Sequence, residues 1–462
     1  MRHAALVCLA ALAGCAAGPD YRRPAVEVPA AYRGVAPVPA GDSIGDADWA
    51  RVYTEPELQA LIAEALRNNL DLKAAVARVD QARAVLGEAR LGLLPTIDAA
   101  GQVGRAKTSE YALLPGEPRI ENSEQAAVSV SYEIDLWGRL RRSNEAARAT
   151  LLSTEFARRT IASAVVASVA DAYYVLLSLD AQLEITRRTV GTREKFVELT
   201  RAQHERGYAT GLDVASAEAQ AAVARANVPD LERRITQTED LLCTLLGENP
   251  RPIDRPRRGE AMPEVPPLPP PGVPSRLLER RPDVRAAEEA LRAANANVGV
   301  AKAALFPTIS LTGLAGSLSI PLGNLFQAQA TEWSIAANVV QPLLDPQRSL
   351  YQVDLADAKK REALFQYEKA VQGAFRDVAD ALVAYAKYAE FAREQARQVE
   401  ALERAEQIAL ARYRVGYAAY FDVINADRDL YAAELSLNQA DANGLTALVL
   451  LYQVLGGGWQ EP

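Results

Sequence analysis

The sequence is dominated by a long proline-free run, from Arg139 to Arg206, that contains a single glycine, Gly191. A second proline-free run begins at Gln347. Apolar residues recur at every seventh position in both runs: Ala162, Val169, Leu176, Leu183, Val190 and Val197 in the first, and Val371, Val378, Tyr385, Ala392 and Val399 in the second. This heptad pattern predicts long helices that pack against neighbouring helices. At 1.5 Å per residue the first would be about 100 Å long, far beyond an ordinary globular helix.

Short landmarks recur in the same order in the two halves of the chain. Leu-Leu-Pro-Thr-Ile at 93–97 matches Leu-Phe-Pro-Thr-Ile at 305–309, and Gly207-Tyr208 matches Gly416-Tyr417. An internal duplication of this kind predicts two tandem repeats of helix, strand, strand, long helix, turn and helix. The predicted boundaries are 56–249 for the first repeat, 250–275 for a proline-rich linker that cannot be helical, and 276–462 for the second repeat.

Each repeat also contains two stretches in which apolar and polar residues alternate. In the clearest of them, Val128, Val130 and Tyr132 lie on one face and Ser129 and Ser131 on the other. Such alternation predicts strands with one apolar face, and strands of about ten residues cover the apolar layer of a membrane when they are tilted. Aromatic residues near strand ends are typical of a membrane interface. The predicted strands are 96–105, 126–137, 307–316 and 332–342, and the interface aromatics are Trp137, Phe306 and Trp333.

The four strands constrain the assembly, because a bilayer tolerates no open sheet edge and four strands cannot close a barrel. Two chains would give eight strands around a filled interior, whereas three would give twelve, with room for a pore. We therefore predict a mostly α fold with a small transmembrane β-barrel contribution. In the predicted homotrimer the strands of three chains form a 12-stranded barrel. The alternative is that these strands pack against helices in a soluble domain.

The N-terminal residues have the pattern of an export signal. Residues 1–14 have a basic start and an apolar run, as in a secretory signal peptide. Leu12-Ala13-Gly14-Cys15 resembles the bacterial lipobox, which implies an N-palmitoyl, S-diacylglycerol cysteine at Cys15, an extended tether over 15–55 and sorting to the outer membrane. The alternative is an ordinary signal peptide cut near Ala17. No other stretch resembles a transmembrane helix.

Nothing in the composition predicts catalysis, a metal site or a cofactor. Such sites need several His, Cys or similar side chains close together, but His204 is the only histidine outside the leader and Cys243 is solitary. The net charge of -8, without a basic block, gives no reason to expect a nucleic-acid partner.

Several motifs together carry a family resemblance that covers the whole chain. They are the lipobox, Gly18-Pro19-Asp20-Tyr21, Asn68-Asn69-Leu70-Asp71-Leu72, Glu133-Ile134-Asp135-Leu136-Trp137-Gly138, Arg280-Arg281-Pro282-Asp283-Val284 and Tyr413-Arg414-Val415-Gly416. In this order they resemble the TolC/OprM-like outer membrane efflux proteins, in particular the lipoprotein (NodT-type) branch that serves resistance-nodulation-division pumps.

The resemblance implies a homotrimeric exit duct of a tripartite pump, in which the 12-stranded barrel in the outer membrane joins an α-helical periplasmic tunnel. The duct would be lipid-anchored and have a long periplasmic extension. Its partners would be a periplasmic adaptor (membrane fusion) protein and an inner-membrane resistance-nodulation-division pump, and its cargo drugs or other small molecules. Two alternatives stay open: the outer membrane duct of a type I protein secretion system, and a periplasmic coiled-coil adaptor or scaffold.

The resemblance also implies a gate, formed where the hairpin of the second repeat narrows the tunnel with carboxylates. Asp422 matches the gate aspartate, and Asn425 stands where some relatives carry a second acid, so we expect one acidic ring, with Asp427 or Asp429 as substitutes. Tyr413 matches a tyrosine that bonds an aspartate of the first-repeat hairpin, here Asp213. Ala418 replaces an arginine that some relatives have in this network. The alternative role for Asp213 and Asp422 is N-capping of the returning helices.

The two hairpin tips are implied docking points for the adaptor. The predicted docking residues are Gly207, Tyr208, Val415, Gly416 and Tyr417. Val415-Gly416 keeps the family's Val-Gly pattern, whereas Arg206-Gly207 departs from it. As structural residues, the two glycines are also expected to end the long helices.

Overall fold

The predicted order of helices and strands occurs twice along the chain. The computed structural model describes residues 16–33, 43–112, 118–256, 259, 261–341 and 346–459. The first repeat contains α1 (Trp49–Val52), α2 (Pro56–Asn68), α3 (Leu70–Leu91), β1 (Thr96–Lys107), β2 (Ile120–Glu133), α4 (Arg139–Glu205) and α5 (Gly211–Leu246). The second contains α6 (Pro274–Arg280), α7 (Pro282–Ala303), β3 (Thr308–Ser319), β4 (Thr331–Val340), α8 (Pro346–Arg414) and α9 (Tyr420–Val454). The predicted signal peptide and Cys15 lie outside the described residues.

The chain divides into two compact units. The first holds the four strands with the adjoining parts of α3, α4, α7 and α8, and the second holds the remaining parts of these helices together with α2, α5 and α9.

In the first unit the four strands form one antiparallel sheet in the order β1-β2-β3-β4, so each repeat supplies two neighbouring strands. The register pairs apolar positions with apolar positions: Ile97 lies opposite Val130, Val128 opposite Ala315, and Gly313 opposite Ile335. The alternate positions form a polar face, on which Asn338 donates to the Thr312 hydroxyl at 3.4 Å. The two faces predicted from the alternation are therefore the two faces of the sheet.

Strand β2 differs from its predicted bounds of 126–137, since it runs over Ile120–Glu133. Its end is set by Asp135, whose carboxylate accepts the backbone N–H groups of Leu140 at 3.0 Å and Arg141 at 2.9 Å. This cap satisfies orphan donors of the first turn of α4, so the chain must leave the sheet although its apolar alternation continues. Its start is earlier because residues from Ile120 onward pair with β1 as far as Lys107.

Both faces of the sheet are open. On the apolar face Val103 is 77% exposed and Ile335 is 79% exposed. Soluble sheets bury their apolar face against another layer. Within the described residues of this unit no such layer covers the apolar face.

In the second unit α2, α4, α5 and α9 share an apolar core that includes the fully buried Tyr53, Tyr173 and Leu242. The predicted heptad positions Ala162, Val169, Leu176 and Leu183 of α4 are buried. One stretch of α4 is long and apolar enough to span a membrane, but 67% of it is buried inside the protein, as expected for a core helix.

Past Leu183 the buried side of α4 becomes polar, which the heptad pattern did not predict. Of the five buried residues there, Ile185 is apolar and the other four are polar: Thr186, Thr189, Arg193 and Thr200. Because buried polar groups require partners, hydrogen bonds and the ion pair of Arg193 with Asp427 act here beside the apolar contacts of Phe196 and Val197.

The proline-rich linker is non-helical, as predicted, up to α6, which begins at Pro274. It is fastened to the helices of the second unit. Arg255 bridges Asp180 of α4, at 2.9 Å from Nη2, and Glu239 of α5, at 2.5 Å from Nη1. Tyr385 of α8 donates to the Pro266 carbonyl.

Candidate functional site

The two hairpin tips have the same backbone geometry. Gly207 and Gly416 both take positive φ, +79° and +81°, a conformation that favours glycine. In each tip the tyrosine after the glycine donates its N–H to a carbonyl in the last helical turn, Tyr208 to Gln203 and Tyr417 to Arg412, both at 2.8 Å. The glycines therefore end α4 and α8 as expected for C-terminal caps.

The side chains at these tips are not needed for the caps and face solvent. Tyr208 is 84% exposed, Tyr417 79% and Val415 66%. Exposed aromatic and apolar side chains at a matched pair of turns provide a surface that a partner could cover.

Asp213 caps the start of α5, which is the alternative role predicted for it from the sequence. Its carboxylate accepts from the backbone N–H and the hydroxyl of Thr210, both at 2.8 Å. In return, the Asp213 N–H donates to the Thr210 hydroxyl at 3.2 Å. This reciprocal pair is a capping box at the start of α5.

Tyr413 does not make the hydrogen bond to Asp213 that the family resemblance implies. Its hydroxyl donates to Gln203 Oε1 on α4 instead. Burial and then the charge of Asp213 raise the pKa of Tyr413, whereas the hydrogen bond to Gln203 lowers it. Tyr413 still links the two hairpins, but through an amide that sequence reasoning missed.

Asp422 stands at the position of Asp213 in the second hairpin, yet its surroundings differ. The N-cap of α9 is Ala419, which has no side-chain acceptor, so no capping box forms. Asp422 is exposed, and among the described residues its carboxylate has no hydrogen-bond or salt-bridge partner. It is therefore a free carboxylate beside Phe421, which is also exposed. Asn425 is half-buried one turn on.

Asp427, named above as a substitute acid, is already engaged. Its carboxylate accepts from Arg193 Nε at 2.8 Å; the Arg193 side chain is buried and that of Asp427 is 12% exposed. Arg193 also donates to the Gln220 carbonyl at 3.0 Å and lies over the ring of Tyr431. Burial raises the pKa of the Asp427 carboxyl, and Arg193 opposes this shift. We call this contact between α4, α5 and α9 the Arg193 clamp.

A polar layer continues the clamp along α9. The Tyr431 hydroxyl lies 3.0 Å from the Thr186 hydroxyl and accepts from Asn227 Nδ2 at 3.1 Å. Asp429, the other substitute acid, is exposed and contacts its neighbour Arg428 at 3.0 Å. An exposed adjacent pair of this kind is a weak restraint.

Two of the predicted interface aromatics meet. Trp137 and Phe306 stack with ring centroids 4.6 Å apart, and Trp137 Nε1 donates to the Pro307 carbonyl at 2.9 Å. The two residues come from different repeats, so the stack joins the segment before α4 in the first repeat to the segment before β3 in the second. Trp333 lies apart, exposed on the apolar face opposite Ala315.

No arrangement for metal chemistry occurs in the part of the chain that the structure describes, where no three His, Cys, Asp or Glu side chains are placed to hold an ion.

A duplicated chain, an uncovered four-stranded sheet and two matched helical tips together define the fold of outer membrane channels. The structure matches the outer-membrane channel OprN with a TM-score of 0.90 and 30% identity, covering 97% of this chain and 100% of that one. It also matches the open state of the Neisseria gonorrhoeae MtrE outer membrane channel, with a TM-score of 0.86 and 32% identity over 96% of this chain and 99% of that one.

The sequence comparisons agree with the fold. The chain is 36% identical over 458 residues to the antibiotic efflux pump outer membrane protein ArpC of Pseudomonas putida, covering 97% of this chain and 94% of that protein. The model of the outer membrane efflux protein family matches residues 61–248 and 273–457. This chain belongs to the outer membrane efflux protein family. The predicted family and fold class are thereby confirmed, and the relatives are channel proteins rather than enzymes.

Proposed function

We propose that this chain is the outer membrane exit duct of a tripartite efflux pump and acts as a homotrimer. The observation that carries the proposal is the sheet, whose apolar face is uncovered and whose edge strands β1 and β4 each have one unpaired side within the described chain. Unpaired backbone groups cost several kcal/mol each in lipid. Three copies joined β4 to β1 would remove every edge and enclose a pore.

The proposal is tested by the state of the purified protein. Extracted from outer membranes, the protein is expected to migrate as a trimer and to form ion-conducting pores in planar bilayers. The full chain, before removal of the signal peptide, has a mass of 49.9 kDa. Deleting the gene should make the host more sensitive to exported compounds. A water-soluble monomer without conductance would contradict the proposal. Export of a protein with no change in drug sensitivity would favour a type I secretion duct.

A lipid anchor at Cys15 is part of the proposal, carrying N-palmitoyl and S-diacylglycerol groups. The anchor is supported by the contacts of the residues that follow Cys15. Ala17 donates its N–H to the Trp137 carbonyl at 2.8 Å, and Arg142 holds Asp20 at 2.7 Å. Cys15 therefore comes two residues before a backbone contact with Trp137, so its acyl chains would enter the interface that the Trp137–Phe306 stack marks. Intact mass of the mature protein, compared with Cys15→Ser, measures the modification.

The proposed partners are a periplasmic adaptor, docked at the two tips, and an inner-membrane resistance-nodulation-division pump. The exposed Tyr208, Val415 and Tyr417 support this assignment, because interface hot spots are enriched in exposed aromatics that a partner can cover. The cargo would be drugs or other small molecules, as the name of ArpC indicates for that relative.

We expect Tyr417→Ala combined with Tyr208→Ala to weaken adaptor binding about tenfold or more, the usual loss when central aromatic contacts are removed. The measurement is co-purification of the adaptor, together with drug sensitivity of the host. Tyr111→Ala is the matched control, because Tyr111 is an equally exposed tyrosine in the unit that holds the sheet. Equal binding by the tip variant and the control would remove the docking assignment.

A further inference from the structure

The first-repeat hairpin contains two helix-weakening residues at the same level. Three salt bridges fix its register: Arg187 with Glu232 at 3.0 Å, Arg225 with Glu194 at 3.7 Å, and Arg201 with Glu218 at 2.5 Å. In two antiparallel helices, residues at the same level have numbers with a constant sum, and here the sum is 419 for all three pairs. Gly191 of α4 is therefore level with position 228 of α5, next to Pro229. Gly191 is the only glycine in α4, and Pro229 lies inside α5.

Both residues lower the resistance of their helix to bending. Pro229 has no N–H to donate to the carbonyl four residues earlier, and its ring crowds that turn. Gly191 gives its turn extra backbone freedom. A Cβ atom at Gly191 would meet nothing within 4 Å, and Pro229 is exposed, so packing explains neither residue.

The second-repeat hairpin has no such pair. With the repeat offset of 209, the equivalent positions are Glu400 and Asn438. Both belong to continuous helices, and Asn438 is buried, accepting from the Ser178 hydroxyl at 2.6 Å. The weakness is therefore confined to one of the two hairpins.

Between this level and the tip, the hairpin is held by polar contacts and by one small apolar cluster. The helix α5 presents small buried residues there, Ala217, Ala221 and Ala224, and the apolar cluster consists of Ala217, Tyr420 and Val423 with a few half-buried neighbours. The Arg193 clamp lies directly on the tip side of Gly191. Segments with few buried apolar contacts open more readily than a packed core.

We propose that Gly191 and Pro229 form a paired hinge, about which the tip segment, residues 192–228, swings away from α9 when the Arg193 clamp opens. In the duct proposed above, on which this role rests, the motion would let the first-repeat hairpin follow a docked adaptor while the second-repeat hairpin stays straight. The hinge itself is a property of the single chain and can be measured without transport.

The test is hydrogen–deuterium exchange on the full protein in detergent, comparing the parent with Gly191→Ala/Pro229→Ala. Both substitutions favour helix, so a loss of folding does not confuse the result. In the parent, amides over 186–195 and 222–232 are expected to exchange about tenfold or more faster than those over 175–183, and the double variant should slow them by a similar factor. Gly373→Ala is the control, because Gly373 is an equally open glycine in α8, and it should change nothing at the hinge.

Asp427→Asn should act in the opposite sense, speeding exchange over 192–228 by opening the clamp. The hinge is overturned if the parent exchanges no faster at 186–195 and 222–232 than at 175–183, or if the double variant exchanges like the parent. Drug efflux distinguishes the two proposals. A parent that exports nothing would contradict the duct, whereas the exchange comparison would still decide the hinge. If the parent exports, the double variant should bind adaptor normally but export less.

Discussion

Replacing Asp422 with alanine is expected to raise the conductance of the assembled duct at least about threefold and to reduce its preference for cations, as removal of a carboxylate ring from a constriction would do. Asp422 is exposed at the first turn of α9, and within the described residues its carboxylate has no partner. In a trimer three copies would converge on the axis. The measurement is single-channel current with a salt gradient, supported by the sensitivity of the host to large antibiotics.

Asp213→Ala provides the control for this experiment. It removes the same side chain from the equivalent position of the other hairpin, where the carboxylate is held in a capping box. Loss of that box should cost about 1 kcal/mol of helix stability without changing conductance. If Asp422→Ala leaves current and selectivity unchanged, or if the two variants behave alike, Asp422 is not the gate.

Replacing Arg193 with methionine is expected to destabilise the protein by about 3–5 kcal/mol, the usual cost of leaving a buried charge without its partner. Arg193 is 3% exposed, and its guanidinium serves both Asp427 and the Gln220 carbonyl. The thermal unfolding midpoint, followed by circular dichroism, should fall by at least about 3 °C in a chain of this size.

Two comparisons isolate the clamp. Arg201→Met removes a salt bridge to Glu218 on the same hairpin, but that pair is exposed, so the loss should stay within about 1 kcal/mol. Arg193→Met combined with Asp427→Leu should regain much of the lost stability, because an apolar pair replaces the ion pair without an unpaired charge. A single Arg193 variant as stable as the Arg201 variant would show that the buried pair contributes little.

The long helices and the sheet faces could be predicted because each depends on a regular period. Apolar residues at Val169 and Leu176 mark the seam of α4, and alternation at Val128 and Val130 marks the face of β2. The end of β2 could not be predicted in this way. It depends on Asp135 capping the next helix, a local competition that alternation does not record.

The site was predicted less well, because its contacts join residues that are far apart in sequence. Arg193 and Asp427 occupy helix positions that a heptad pattern assigns to apolar residues or solvent, and Gln203 replaces the expected partner of Tyr413. One signal was available. Thr210 lies three residues before Asp213, as in a capping box, whereas Ala419 precedes Asp422. That difference separates two aspartates that otherwise match in the repeat.

The open edges of the sheet have a genetic consequence. If β1 of each copy must mate with β4 of the next, a subunit with a proline in β1 could still offer an intact β4 and enter rings with normal subunits. If mutant and normal subunits are expressed equally and mix at random, about one trimer in eight contains only normal subunits. Every other trimer has at least one β1–β4 pairing that includes the mutant strand. A damaged allele would thus be dominant over a healthy one, whereas an absent allele would be recessive.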